Sequence, residues 1–153
     1  MHSRTAWSDY FTGTRALIEK SVFGTRQTLS DTNVHILNCL FRSITSTSDG
    51  GALYTTSVTF LLIESTSFFS CKTSSYLYGA IFFNNNNGQC VLYEVCGYDC
   101  CSTYSSGNSY YQFAHIRINN AASSKNYVNY SSIVRCVNEI SGSHYILNLG
   151  FGN

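Results

Sequence analysis

Residues 34–41, VHILNCLF, decide how this chain is read. Written as apolar-x-apolar-x-x-small-x-aromatic, the stretch places Val34, Ile36, Cys39 and Phe41 at the four marked positions. The same template fits RALIEKSVF through Ala16, Ile18, Ser21 and Phe23, and FLLIESTSF through Leu61, Ile63, Thr66 and Phe68. It fits CVLYEVCGY through Val91, Tyr93, Cys96 and Tyr98, and a degenerate fifth copy through Ser131, Ile133, Cys136 and Asn138. Alternation with period two over three or four residues marks a strand with one buried face, not a helix. One such copy cannot close a core. Stacked on its neighbours, about 4.8 Å away, it shares an interior with them. The expected fold is all-β: a right-handed parallel β-helix of about five uneven coils.

A second element follows the first. Gly50-Gly51-Ala52-Leu53-Tyr54 comes after Phe41, and Tyr78-Gly79-Ala80-Ile81-Phe82 after Phe68. Tyr111-Gln112-Phe113-Ala114 and Tyr145-Ile146-Leu147-Asn148-Leu149 are its weaker copies. Residues 16–149 thus read as a single β-helix domain, 1–15 as an N-terminal segment and 150–153 as a tail. Segments 45–49, 84–88, 102–108 and 121–126 read as loops thrown out between strands. Trp7, Tyr10 and Phe11 are expected to cap the open N-terminal end, because a solenoid must cover its apolar edge.

Composition supports this reading. The 153 residues suit one domain with its own core. Only 11% are charged, while 23 Ser, 14 Thr and 14 Asn supply a third of the chain and 12 Tyr and 10 Phe add β-prone aromatics. The formal charge of +1, with no basic cluster, argues against nucleic acid as a partner. No segment approaches the ~18 apolar residues of a membrane span, so no membrane insertion is expected. The N-terminal stretch MHSRTAWSDYFTGTR carries no apolar run of signal-peptide length. Taken literally, the chain is expected to be soluble and not exported, or to be a fragment of a longer surface protein.

The stacking pattern makes chemistry legible by column. The small-residue column reads Ser21, Cys39, Thr66, Cys96, Cys136, and neither Cys39/Cys96 nor Cys96/Cys136 is expected to form a disulfide, on distance and on side-chain direction. No Cys-x-x-Cys pair occurs among the seven cysteines; Cys96 with Cys100 or Cys101 and a distant His is the one metal set the spacing allows, and buried small hydrophobes is the preferred reading. An outward column Leu17, His35, Leu62, Leu92, Ser132 forms an apolar stripe. It calls for a covering segment, a partner such as a second copy side by side, or a register moved by one. The next outward column, Glu19, Leu37, Glu64, Glu94, Val134, brings Glu64 and Glu94 to neighbouring coils. There they would share a proton at a spacing near that of a retaining glycosidase pair. His2, His115 and His144 stand isolated. Tyr110, Tyr111 and Phe113 read as stacked strand residues, not a sugar platform. Asn129-Tyr130-Ser131 is a glycosylation acceptor by pattern.

The combination of a short apolar strand, Cys-x-Phe, a Ser/Thr-rich loop and Gly-Gly-Ala-Leu-Tyr resembles the repeats of polymorphic outer-membrane proteins. It is more similar still to the Cys- and Asn-rich, pectin-lyase-like surface proteins of parasitic flagellate protists, where a segment like CVLYEVCGYDCCSTYSSGNSYYQFAHI recurs. The resemblance spans roughly residues 10–149. It implies a right-handed β-helix on a cell surface or secreted, with an adhesin-like display role and no catalytic, cofactor or metal residues to carry over. The expected function is therefore a non-enzymatic scaffold or binding surface for protein or glycan. The rivals are a carbohydrate-active β-helix enzyme, a polysaccharide lyase or glycoside hydrolase, built on Glu64 and Glu94, and a truncated non-functional piece of a larger repeat protein.

Overall fold

A computed structural model describes residues 7–74, 78–104, 109–119, 124–137 and 143–152. After a one-turn helix α1 (Trp7–Tyr10), the first coil holds β1 (Ala16–Glu19), β2 (Val22–Phe23) and β3 (Gln27–Thr28). The second holds β4 (Asn33–Leu37), β5 (Leu40–Ser46) and β6 (Leu53–Thr55), and the third β7 (Phe60–Glu64), β8 (Ser67–Thr73) and β9 (Ile81–Asn85). The fourth holds β10 (Gln89–Tyr93), β11 (Cys96–Tyr98), β12 (Cys101–Ser102) and β13 (Ser109–Asn119), and the fifth β14 (Asn126–Asn129), β15 (Ser132–Val134) and β16 (Ser143–Gly152). Among the described residues every strand pairs in parallel with its counterparts in adjacent coils. Three sheets result, β1-β4-β7-β10-β14, β2-β5-β8-β11-β15 and β3-β6-β9-β13-β16, with β12 on β8. The chain is a β-solenoid of about four full turns, five layers deep.

The interior is a stack of ladders. Ile18, Ile36, Ile63, Leu92 and Val128 lie in one column of the first sheet. Phe23, Phe41 and Phe68 stack in the second, their ring centroids 4.7 Å apart. Leu53, Ile81, Ala114 and Leu147 line the third. The Gly-Gly-Ala element is in register as read: the Gly51 amide donates to the Gly79 carbonyl at 2.7 Å and that of Ala52 to Ala80 at 2.9 Å. A side chain at Gly51 would press on the Lys72 carbonyl, 2.8 Å from the added carbon.

The small position of the repeat is explained by how the chain turns. Between the first and second sheets Lys20, Asn38, Ser65, Glu94 and Tyr130 all adopt left-handed backbone, and at a second corner, inside β5 and β8 and just after β11 and β15, Ser43, Ser70, Asp99 and Arg135 do the same. Each such residue costs roughly 1–3 kcal/mol unless its surroundings hold it. At the first corner the left-handed amide donates to the next coil: Lys20 to the Leu37 carbonyl, Asn38 to Glu64, Ser65 to Tyr93 and Glu94 to Asn129, at 3.0–3.1 Å. The residue that follows then closes the turn. Ser21, Cys39, Thr66 and Ser131 donate from the side chain to the carbonyl two residues back, at 3.1, 3.3, 2.8 and 2.9 Å. Cys71, Cys100 and Cys136 do so at the second corner, at 3.6, 3.3 and 3.5 Å. The same oxygen or sulfur accepts an amide from the coil before: Cys39 to Thr66 Oγ1, Val95 to Ser131 Oγ, Cys71 to Cys100 Sγ and Cys100 to Cys136 Sγ, at 3.0–3.4 Å. Ser, Thr and Cys are the small side chains that donate and accept at once.

Two copies of the repeat sit differently from the reading above. In the fourth coil Cys90, Leu92, Val95 and Gly97 face inward, not Val91, Tyr93, Cys96 and Tyr98. The cause is Gly97, which stands where the first three coils carry an aromatic. Phe113 fills the vacated space so closely that a side-chain carbon at Gly97 would lie 2.5 Å from its ring. In the fifth coil β14 supplies the first-sheet strand, so Ile133 belongs to the aromatic column beside Gly97, and Cys136 to the second corner with Cys100. Asn138 lies outside the described residues. The turns, measured from Ile18 through Ile36, Ile63, Leu92 and Val128, are therefore 18, 27, 29 and 36 residues long. Residues 45–46, 84–85, 102 and 126 extend strands where loops were expected, 105–108 and 121–123 lie outside the described residues, and β16 runs into the tail.

Truncating Phe41 or Phe68 to Ala is expected to destabilise the protein by about 3–5 kcal/mol. Gly97→Ala should also lower the melting temperature, because Phe113 must move, whereas Gly24→Ala, with nothing within 4 Å of the added carbon, should leave it unchanged. Thermal melts of the four variants check the assignment of the core.

Candidate functional site

The first sheet's outward column is Leu17, His35, Leu62, Val91 and Tyr127, one residue away from the expected Leu92 in the fourth coil and with Tyr127 in place of Ser132. The N-terminal segment covers its middle. Trp7 and Phe11 pack on Leu62 and Val91, with Tyr10, Phe60 and Tyr93 around them. Phe11 stacks on Phe60 at 5.0 Å, and Lys125 Nζ donates to the Tyr10 carbonyl. Trp7, Tyr10 and Phe11 therefore lie along the side of the solenoid instead of across its N-terminal edge, where Leu17 remains 48% exposed.

Beneath α1 sits a polar chain whose inner members, His35 and Glu64, are buried and whose outer end, Arg15, is exposed. Arg15 Nε donates to His35 Nδ1 at 3.2 Å, and His35 Nε2 lies 2.9 Å from Glu64 Oε2. His35 and Glu64 are each about 2% exposed. With Nδ1 accepting from Arg15, the ring's proton is on Nε2 and is donated to the carboxylate. The Glu64–Glu94 pair does not form. Glu64 lies beside Tyr93, and Glu94 is the left-handed corner residue, accepting from Ser65 Oγ at 2.9 Å. Arg15 was not foreseen, since it precedes the first strand and falls in no column.

The middle of the third sheet's outward face is also packed over. Tyr54, Phe82 and His115 stack with centroids 5.2 and 5.5 Å apart, Arg26 lies over Tyr54, and Tyr78 packs 4.3 Å from His115. Asn148 Nδ2 lies 3.1 Å from His115 Nδ1. Burial, with the charge of Arg117 added, lowers the His115 pKa to about 4. Phe113 points into the core; the side chains of Tyr110, Tyr111 and His144, like His2, lie outside the described set.

The second sheet is different. Phe69 and Tyr98 stack at 5.1 Å, their planes nearly parallel, and are 48% and 38% exposed. Val134 extends the stripe and is exposed, and Val22 is exposed in the neighbouring column of the same face. A shallow depression of about 370 Å³ opens among Leu40, Arg42, Ser67, Phe69, Cys96 and Tyr98. Arg135 lies 5.9 Å over the Tyr98 ring. Lys72 pairs with Asp99 at 3.0 Å, and Ser70 donates to the same carboxylate at 2.8 Å. Burial pushes the Asp99 pKa up, yet these two donors outweigh it and hold it below its usual value, while the Asp99 contact raises that of Lys72. The sequence reading missed this face because Tyr98 was assigned to the core.

All seven cysteines are free thiols, six of them buried and Cys96 exposed. The Cys39 column runs on through Thr66 and Val95, so the disulfides considered above have no partners in line. Burial raises the Cys90 and Cys101 pKa values. Among the described residues no group of three or more His, Cys, Asp or Glu is placed to hold a metal ion. Also among them, no helix is long and apolar enough to cross a membrane.

Folded His115 takes up its proton near pH 4 and the unfolded chain near 6.5, so between those values the unfolded state binds more protons. Stability is expected to fall as pH drops from 6.5 to 4, and His115→Phe to flatten that limb in urea melts at pH 7, 5.5 and 4. No protein-family model, no curated protein and no solved structure matches this chain.

Proposed function

We propose that this chain is a non-enzymatic β-solenoid scaffold of the pectin-lyase-like kind, serving surface display or adhesion, and that it docks an acidic protein surface on the outward face of its second sheet. One observation carries the reading: the bare Phe69–Tyr98 stack, two exposed rings packed face to face with Val134 beside them on the outward face of the second sheet. Exposed contiguous apolar surface on a soluble fold marks a contact site. Tyr, Phe and Arg are the side chains enriched where proteins meet. The charge around the stack favours an acidic partner, since Arg42, Lys72 and Arg135 border it with Asp99 as the carboxylate among them. The same surplus of cations disfavours two copies meeting through this face. The face is shallow, which suits a protein surface more than a buried saccharide.

The test uses the protein as immobilised bait beside a Phe69→Ser/Tyr98→Ser variant. The expected result is retention of proteins with acidic surfaces by the parent alone, released by raised salt. Retention equal in the variant, a response on a glycan array, or dimerisation through this face in sedimentation would overturn the proposal.

A further inference from the structure

The two ends of the solenoid carry complementary halves of the interface that joins its own coils. In the middle coils the inward residues Ile36, Ile63 and Leu92 of the first sheet, and Phe41 and Phe68 of the second, are buried. In the first coil their counterparts Ile18 and Phe23 are only partly buried, and so are Val128 and Ile133 in the fifth. Beside them the outward residues Leu17 and Val22 at one end, and Tyr127 at the other, are 48%, 61% and 43% exposed. Trp7 and Phe11 pack on Leu62 and Val91 of the third and fourth coils, not on the first. Strand edges flanked by apolar side chains are templates for a further strand.

The two end coils match in register. β1 and β14 are both four residues long, and the spacing from Ile18 to Phe23 is that from Val128 to Ile133. Their corners are built alike: Lys20 and Tyr130 are left-handed, and Ser21 and Ser131 close the turn from Oγ. Inside the chain one bond joins each coil to the one before, from the first amide of the second-sheet strand to the corner carbonyl. Leu40 donates to Ser21, Ser67 to Cys39, Cys96 to Thr66 and Ser132 to Val95, at 2.9–3.0 Å. We propose that a second copy of this chain stacks head to tail, its first coil on the fifth coil of the copy before. Val22 of the second copy then donates to the Ser131 carbonyl. The Ser131 amide donates to that copy's Ser21 Oγ, as Cys39 donates to Thr66 and Val95 to Ser131 within the chain. Ile18 closes over Val128 and Phe23 over Ile133, while Leu17 meets Tyr127 directly across the junction. Such a contact is heterologous and does not close on itself, so it generates open rows and not a two-fold dimer. The junction lies at the ends of the solenoid and does not involve the Phe69–Tyr98 stack.

Sedimentation over a concentration series reads the contact. The expected result for the parent is a weight-average mass that climbs past the dimer as concentration rises. Leu17→Lys/Tyr127→Lys sets like charges opposite one another at every junction and is expected to weaken association about tenfold or more. Leu17→Glu/Tyr127→Lys is expected to restore it, in a form that raised salt weakens. A parent that stays monomeric to ~1 mM, association that stops at a closed dimer, or equal association by the two double variants would overturn the proposal. So would loss of association in Phe69→Ser/Tyr98→Ser, which would put the contact on the second sheet's face. Both substituted positions are outward and exposed, and both double variants replace the same two side chains, so the difference between them reads the junction alone.

Discussion

The hydrogen bond from a small side chain back to the carbonyl two residues earlier is the constraint on which this solenoid rests. It pins a left-handed residue at the first corner of the coil and, through Cys71, Cys100 and Cys136, at the second. Because the same atom accepts an amide from the coil before, the corner that turns the chain also sets the height of the next layer. Direction and register come from one side chain. The apolar ladders inside supply most of the stability, but they tolerate exchange, as the replacement of an aromatic by Gly97 with Phe113 shows. The corner is held more narrowly to Ser, Thr and Cys; Val95 departs at the first corner, where Ser131 in the coil after it supplies its amide's partner, and Ile44 departs at the second.

This explains the cysteine content without redox or metal chemistry. Four of the seven thiols, Cys39, Cys71, Cys100 and Cys136, occupy corner positions; Cys39 makes the bond that a hydroxyl makes in other coils of the first corner, and the other three make it at the second. The hydrogen bond from Cys100 lowers the Cys71 pKa; the contact with Cys136 lowers that of Cys100, but its bond to Cys71 and its burial outweigh this and raise it to about 12. Thiols held this way act as small donors and acceptors within the corner.

Much of the fold was legible in VHILNCLF because every position there has a single role: Val34 and Ile36 inward, Asn38 left-handed, Cys39 closing the turn, Phe41 in the aromatic column. The first three coils follow that template and were read in register. The fourth was misread by one residue because an aromatic was taken as the anchor, and there the aromatic came from a distant strand. A one-residue slip exchanges the faces of a strand, so the same error hid the exposed Tyr98 and created the Glu64–Glu94 pair. The site beneath α1 was legible only in part. His35 and Glu64 were placed outward correctly, but which segment covered them, and that Arg15 reached in from before the first strand, depends on a helix whose docking leaves no periodic trace.

The coils differ in length, yet one side of the solenoid never varies. In each coil five residues separate the inward residue of the first sheet from that of the second, from Ile18 and Phe23 to Val128 and Ile133. From the second coil on, three more reach the corner residue, as in Phe41 and Ile44 or Ile133 and Cys136. All the growth from 18 to 36 residues falls on the stretches leading into and out of the third sheet. One flank is inextensible and the other elastic, so foreign peptide spliced into the elastic flank would be carried outward while the layers on either side kept their spacing.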